Sequence, residues 1–495
     1  MNSLASSPKR EDKNSFKPVS PFDMFYQMTY LSAMASAGLS RGKIFQIAAQ
    51  SSSGAAVYFA AVNTLVDEFR YDYPEACRRV GSKAKSENMK SFLLRLSDAL
   101  RSGEPLADFL AREAEVQAED YENRYERDLE AMKQWSNAFS SIVISVALIV
   151  IIQMISSMIY SMDVTVMGGL VMTGFMMAVM GAWIIYRSAP REKMTNKPSH
   201  GSPEQQRAMR LFRTLIPVCF ASAALMNLLG VPLGWLLMWV AVLLLPIGIA
   251  ALASEKKRIK RDAEFSTFLR SVGGMANSTG TTLKQALTRM DLTSFPALAP
   301  DIDRLSKRLQ ALVEPEVCWR KFGEDTGSKL ISAVTDIFYG AVKIGGDPER
   351  VGYLCSLFAA KTTQLRAKRR LTAGTFSGLT TVMQAVVAGL MVFVLSIINN
   401  FAALVATLMP QNTEAANGQV NMSLGMAEFS AADLQFLHTI TVGMILLLAL
   451  VSAAAIIVCD GGFRVKMAFY LALTVFISGI SFLVVPPMVA GILTL

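Results

Sequence analysis

Two stretches decide how this chain folds: MKSFLLRLSDALRSGEP at residues 89–105 and ISAVTDIFYGAVKIGGDP at residues 331–348. In the first, Met89, Phe92, Leu93, Leu96 and Leu100 recur at the spacing of one helix face; in the second, Ile331, Val334, Phe338 and Val342 do the same. Each stripe runs into a glycine, an acid and a proline: Gly103-Glu104-Pro105 and Gly346-Asp347-Pro348. A glycine there can end the helix in the left-handed conformation. The acid can then cap the next helix, with proline at its first position. Gly103, Pro105, Gly346 and Pro348 are therefore expected at sharp corners between helices.

The likeness extends outward from these corners. Pro74-Glu75-Ala76-Cys77 matches Pro315-Glu316-Val317-Cys318, and Arg124 and Arg127 match Arg366 and Arg369. Towards the front, Phe22 and Phe25 match Phe265 and Phe268, and Ser36-Ala37-Gly38 matches Ser278-Thr279-Gly280. Every offset lies between 241 and 243 residues. Matches in the same order at one spacing mark an internal duplication. Residues 21–136 and 254–373 are each expected to form a helical-bundle domain.

The segments that follow each domain are of another kind. The 495 residues are 52% hydrophobic, with a mean hydropathy of +0.37, and charge is confined to blocks. A bilayer core takes about 20 apolar residues per helix. Residues 138–160 and 164–186 are uncharged runs separated by three residues, and 214–253 is a third, divided by the turn signal Gly230-Val231-Pro232. With 374–398, 435–459 and 467–492, these make seven spans. The fold expected is all-α: a polytopic membrane protein of seven transmembrane helices carrying two homologous cytoplasmic domains. In order, it comprises a disordered tail (1–20), the first domain, a four-helix membrane region (137–253) with a basic loop at 187–213, the second domain, and a three-helix region (374–495) with an external loop at 400–434.

Charge orients this arrangement. With seven spans, all 48 Lys and Arg fall on one side, while the opposite segments hold Asp163, Glu414, Glu428 and Asp433 and no base. Basic residues stay cytoplasmic, so the N-terminus is expected inside and the C-terminus outside the cell membrane. Residues 1–20 are polar and lack the apolar stretch of a signal peptide.

Catalytic signals are missing. Gly38 and Gly42, ahead of Lys43, are one residue too close for a phosphate loop, and no Ser or Thr follows the lysine. The histidines, His200 and His438, lie far apart, and the five cysteines show no metal-ligand spacing. No cofactor, metal or enzymatic activity is expected. A transporter or channel is the alternative reading, but the spans hold almost no ionisable groups of the kind transport uses. A seven-span receptor has no need of duplicated bundles. Nucleic acid is not an expected partner, because basic residues beside a membrane have a sufficient role there.

With its tandem helical domains, glycine-ended first helices (MASAGLS, MANSTGTTL), Gly-acid-Pro corners and following membrane helices, the chain resembles the type II secretion F-domain family. Its four-plus-three span layout and long N-terminal tail are most similar to the archaellum assembly protein J branch. The resemblance implies a membrane platform of a type IV pilus-like machine. It also implies a hexameric secretion ATPase and pilin- or archaellin-like filament subunits as partners, and a homodimer.

Charge then nominates contact residues. Residues 254–373 carry 21 basic and 13 acidic side chains, whereas 1–136 carry 18 and 19. Lys256, Lys257, Arg258, Lys260 and Arg261 enter the second domain; Arg366, Lys368, Arg369 and Arg370 leave it; Arg124 and Arg127 are their counterparts in the first. These are expected to meet the ATPase or membrane-lipid headgroups. The mixed-charge run Glu113–Glu130 is expected to be a solvated stalk or a partner face.

Overall fold

The computed structural model describes residues 16, 18–159, 164–192, 194–196, 201–408 and 431–493. Most of the tail and of the 400–434 loop, the turn at 161–163, and His200 lie outside the described residues. No β-strand occurs among those described.

The first repeat opens with α1 (Pro21–Ala35), which has Pro21 in its first turn and the Ser20 hydroxyl accepting from the Asp23 amide at 3.0 Å. There follow α2 (Arg41–Gln50), α3 (Ala56–Asp67), α4 (Tyr73–Ser82), α5 (Glu87–Ser102) and the long α6 (Leu106–Ile159). Beyond α7 (Val164–Ser188) and α8 (Pro203–Leu228), the second repeat begins inside α9 (Leu233–Ser278). It continues through α10 (Leu283–Arg289), α11 (Ala299–Gln310), α12 (Pro315–Thr326), α13 (Lys329–Lys343) and the long α14 (Pro348–Leu408). Helices α2, α4, α5 and α6 start 242 residues before α10, α12, α13 and α14, and α3 starts 243 before α11. The duplication is therefore legible helix by helix. Even the turn geometry repeats: Arg70 and Leu312, again 242 apart, are the two non-glycine residues with positive φ among the described residues, at 58° and 60°. α15 (Ala431–Asp460) and α16 (Met467–Leu493) complete the chain.

Seven helices among the described residues are long and apolar enough to cross a membrane: α6, α7, α8, α9, α14, α15 and α16. They are the seven read from the sequence. Three of them, α6, α9 and α14, run without interruption between polar and apolar segments.

The chain divides into two compact units. One joins the described residues up to Glu126 with Arg258–Leu365, and the other joins Arg127–Lys257 with the described residues from Arg366 onward. Both polar repeats thus belong to a single unit. Within it the first repeat is built on an aromatic ladder, Phe45, Phe59, Phe92 and Phe109, with successive ring centroids 5.9, 6.3 and 6.4 Å apart. In the second, Trp319 packs on Phe322 and Phe338, and Phe268 on Phe295 and Phe322. Burying each such ring contributes about 1.5–3 kcal/mol. The 89–100 stripe is buried, as are Ile331, Val334 and Phe338; Val342 is half-buried. The two repeats are joined as well: Phe358 of α14 packs on Phe25 of α1 at 4.4 Å and on Phe22 at 5.9 Å.

The run Glu113–Glu130 is solvated on one side only. Glu113, Gln117, Tyr121, Tyr125 and Leu129, four residues apart, form a buried stripe along α6. Glu113 pairs with Arg95, and Glu122 with Lys361 of α14. The charge pattern concealed this face because two tyrosines and a paired acid take the places that aliphatic residues usually fill.

Candidate functional site

The expected contact residues separate into two classes by burial. Lys256, Lys257, Lys260, Arg370, Arg124 and Arg127 are exposed, and Lys368 is half-buried. Lys257 reaches Glu204 at 3.2 Å, and Arg124 donates to the Asn88 side chain at 3.2 Å. Arg258, Arg261, Arg366 and Arg369 are instead buried, each 6% exposed or less. These four are corrections to the expected docking surface. A guanidinium turned inward and hydrogen-bonded by its own chain offers no face to a partner or a headgroup.

In the first unit, Arg258 bonds Asp262 one turn along α9 at 2.9 Å. Arg261 reaches the Asp301 carboxylate at 2.8 Å and the Thr326 carbonyl at 3.3 Å. Arg304 closes on the same carboxylate. Burial pushes the Asp301 carboxyl above the usual aspartate range, against the pull of both arginines. Nearby Glu264 accepts from the Ala297 and Leu298 amides at 2.9 and 3.0 Å, which fixes the entry to α11. The start of the second repeat is thus held by charge as well as by apolar packing.

In the second unit, Arg366 donates through Nε and Nη2 to Glu192, at 3.0 and 2.5 Å, with both side chains buried. One turn on, Arg369 spends its whole guanidinium on main-chain carbonyls: Cys459 at 2.8 Å, Val458 at 2.9 Å and Pro190 at 2.9 Å. Val458 and Cys459 lie in the last turn of α15, where carbonyls lack helical partners and the dipole favours a cation. The helix ends at Gly461 with φ 68°, and a methyl group there would collide with the Arg369 guanidinium. Lys466 pairs with Asp460 at 2.9 Å, both buried, and Glu255 lies against Gly462. Three cations and three carboxylates thus balance in a dry cluster that ties α14 to the segment after α7 and to the α15–α16 turn. Glu192, Glu255 and Asp460 were missed in the sequence reading. Their only signal is an acid standing among bases at the end of an apolar run.

The corners differ in detail. Gly103 is left-handed, with φ 79°, but its second-repeat equivalent is Gly345, with φ 101°; Gly346 instead packs its α-carbon against the Ala341 carbonyl. Gly346 stands at the position of Glu104, so the Gly-acid-Pro triplet sits one residue later in the second corner. Asp347 caps α14, accepting from the Glu349 and Arg350 amides at 3.1 and 3.3 Å. Glu104 pairs with Arg112 instead, and α6 begins after Pro105, whose carbonyl takes the Phe109 amide at 3.1 Å. Pro348 occupies the first position of α14. Among the described residues no group of three His, Cys, Asp or Glu side chains could hold a metal ion.

Comparison with known proteins agrees with this architecture. Residues 28–154, from α1 into α6, match the family of type II secretion system protein F. The chain is 25% identical over 411 residues to flagella accessory protein J of Methanocaldococcus jannaschii, covering 81% of this chain and 72% of that protein. It is 22% identical over 431 residues to flagella accessory protein J of Methanococcus voltae, covering 85% and 76%. No solved structure matches. A duplicated helical domain, seven apolar helices and these similarities describe a multi-pass membrane protein that is similar to type II secretion system protein F over residues 28–154 and to flagella accessory protein J over most of its length.

Proposed function

We propose that this protein is the cell-membrane platform of a type IV pilus-like machine of the archaellum kind, coupling a cytoplasmic hexameric secretion ATPase to assembly of pilin- or archaellin-like subunits and to filament rotation. The N-terminus and both helical repeats face the cytoplasm and the C-terminus faces outward. The working form is a homodimer, and the protein carries out no catalysis of its own. One observation supports this reading above the others. The two repeats form one compact unit, and α6, α9 and α14 run uninterrupted from polar to apolar segments. A push on a helix of the polar unit needs no hinge to reach its apolar part, because an unbroken helix transmits displacement along its hydrogen-bonded axis.

Exposed Lys256 and Lys260 at the base of the second repeat, with Lys257 beside them, are the cations placed to meet an acidic motor surface. The test is co-purification of the full-length chain in detergent with the secretion ATPase of the same cell. Capture by the wild type, weakened about tenfold or more in a K256E/K257E/K260E variant, is the expected result. Absence of capture by the wild type overturns the motor reading.

A further inference from the structure

Among the membrane-proximal cations, three arginines on one helix form a row with no side-chain partner among the described residues. Arg207, Arg210 and Arg213 stand three residues apart on α8, all exposed, and none makes a side-chain hydrogen bond or ion pair among the described residues. Arg258, Arg366 and Arg369, at other membrane joints, are instead buried on carboxylates or carbonyls. The nearest acid on α8, Glu204, is engaged by Lys257. Neighbours at this spacing stand about 5–6 Å apart and repel one another. Three arginines along about 9 Å of helix call for an anion that the described residues do not supply.

Helix α8 also has little protein around it. Only 6% of its apolar stretch is buried; Val218, Phe220, Leu225 and Leu228 are 51–85% exposed. The uncharged segment from Thr214 to Leu229 has 16 residues. It therefore spans about 24 Å, short of the roughly 30 Å hydrocarbon core. A short span draws the bilayer thin around itself and brings headgroups down to its charged end. At the end of α7, the preceding helix in the sequence, Arg187 lies over the Trp183 ring at 5.9 Å, and Trp183 and Tyr186 are exposed. Aromatic side chains of this kind collect at headgroup level.

We infer that the arginine row of α8 is a binding site for the phosphate headgroups of anionic lipids, whose chains lie along the Val218–Leu228 face. Arginine suits that ligand because its planar fork takes two phosphate oxygens at once. The inference does not depend on the motor partner. The test places the full-length protein in nanodiscs of mixed phosphatidylglycerol and phosphatidylcholine and measures the lipid retained on extraction into mild detergent by native mass spectrometry. The wild type is expected to enrich phosphatidylglycerol, and each arginine replaced is expected to lower that enrichment by about fivefold. R207Q/R210Q/R213Q then approaches the bulk lipid ratio, while R207K/R210K/R213K keeps preference for the anionic lipid. Equal enrichment in the wild type and the glutamine variant overturns the inference. So does a row that captures an acidic soluble protein while lipid enrichment is unchanged. A glutamine variant that fails to fold leaves the single substitution R210Q, read in the same assay, to decide.

Discussion

Arg124 and Arg127 of α6 stand where Arg366 and Arg369 of α14 stand in the second repeat, and the two pairs have opposite surroundings. The first pair is exposed; the second is buried on Glu192 and on three main-chain carbonyls. The residues are the same and the helix register is the same, so the difference arises from what packs against each helix. α14 has the end of α15 and the segment after α7 beside it, and a buried guanidinium is tolerable there because each nitrogen of Arg369 meets a carbonyl and Arg366 meets a carboxylate. Duplication supplied the arginines twice, and one copy was built into an internal joint.

The largest test of this contrast is the pair R369A and R127A. Removing Arg369 leaves three carbonyls and part of a charge cluster buried without a partner, and is expected to cost about 3–5 kcal/mol. R127A is expected to stay within about 0.5 kcal/mol of the wild type. Denaturant unfolding of the full chain in micelles measures both, and similar losses at the two sites would erase the distinction.

A second contrast lies where the first and last long helices of each repeat cross. Leu31 and Leu110 are buried in the first repeat; Gly273 and Gly352, 242 residues on, take their places in the second. A methyl group on Gly273 would run into the Pro348 carbonyl, and one on Gly352 would sit 2.9 Å from the Leu269 carbonyl. One crossing is filled by side chains and the other by backbone contact. L31A is expected to cost about 2–5 kcal/mol by leaving a cavity, and G273A about 1–3 kcal/mol by overpacking, in the same unfolding measurement. A neutral G273A would show that the second crossing has room to spare.

The corners sharpen the comparison on a smaller scale. D347A removes the acceptor for two amides at the start of α14 and is expected to cost about 1 kcal/mol. E104A loses only a partly exposed ion pair with Arg112 and is expected to cost about 0.5 kcal/mol or less. Amide hydrogen exchange in the first turns of α14 and α6 separates them: it rises in D347A and hardly changes in E104A.

Much of this was open to sequence reasoning. Length and hydropathy set the seven spans, since a helix that crosses a bilayer must be apolar over its whole length and its composition reveals it. The repeat was visible because cores of the same shape need large side chains at the same helical positions, as at Phe92 and Val334. The charged residues were harder to place. Lys260 and Arg261 are adjacent in one basic run, yet the first is exposed and the second buried. A helix turns 100° per residue, and which side meets another element depends on segments distant in sequence, here Asp301, Glu192 and Val458.

By itself the sequence determined the all-α class, the seven apolar helices and the duplication, because each follows from a local pattern of side-chain type. Only the tertiary structure decided which arginines are internal joints and which are surface, that the second corner turns on Gly345, and that both repeats share one compact unit. Those outcomes depend on long-range packing, in which a buried charge survives solely where the fold brings it an acceptor.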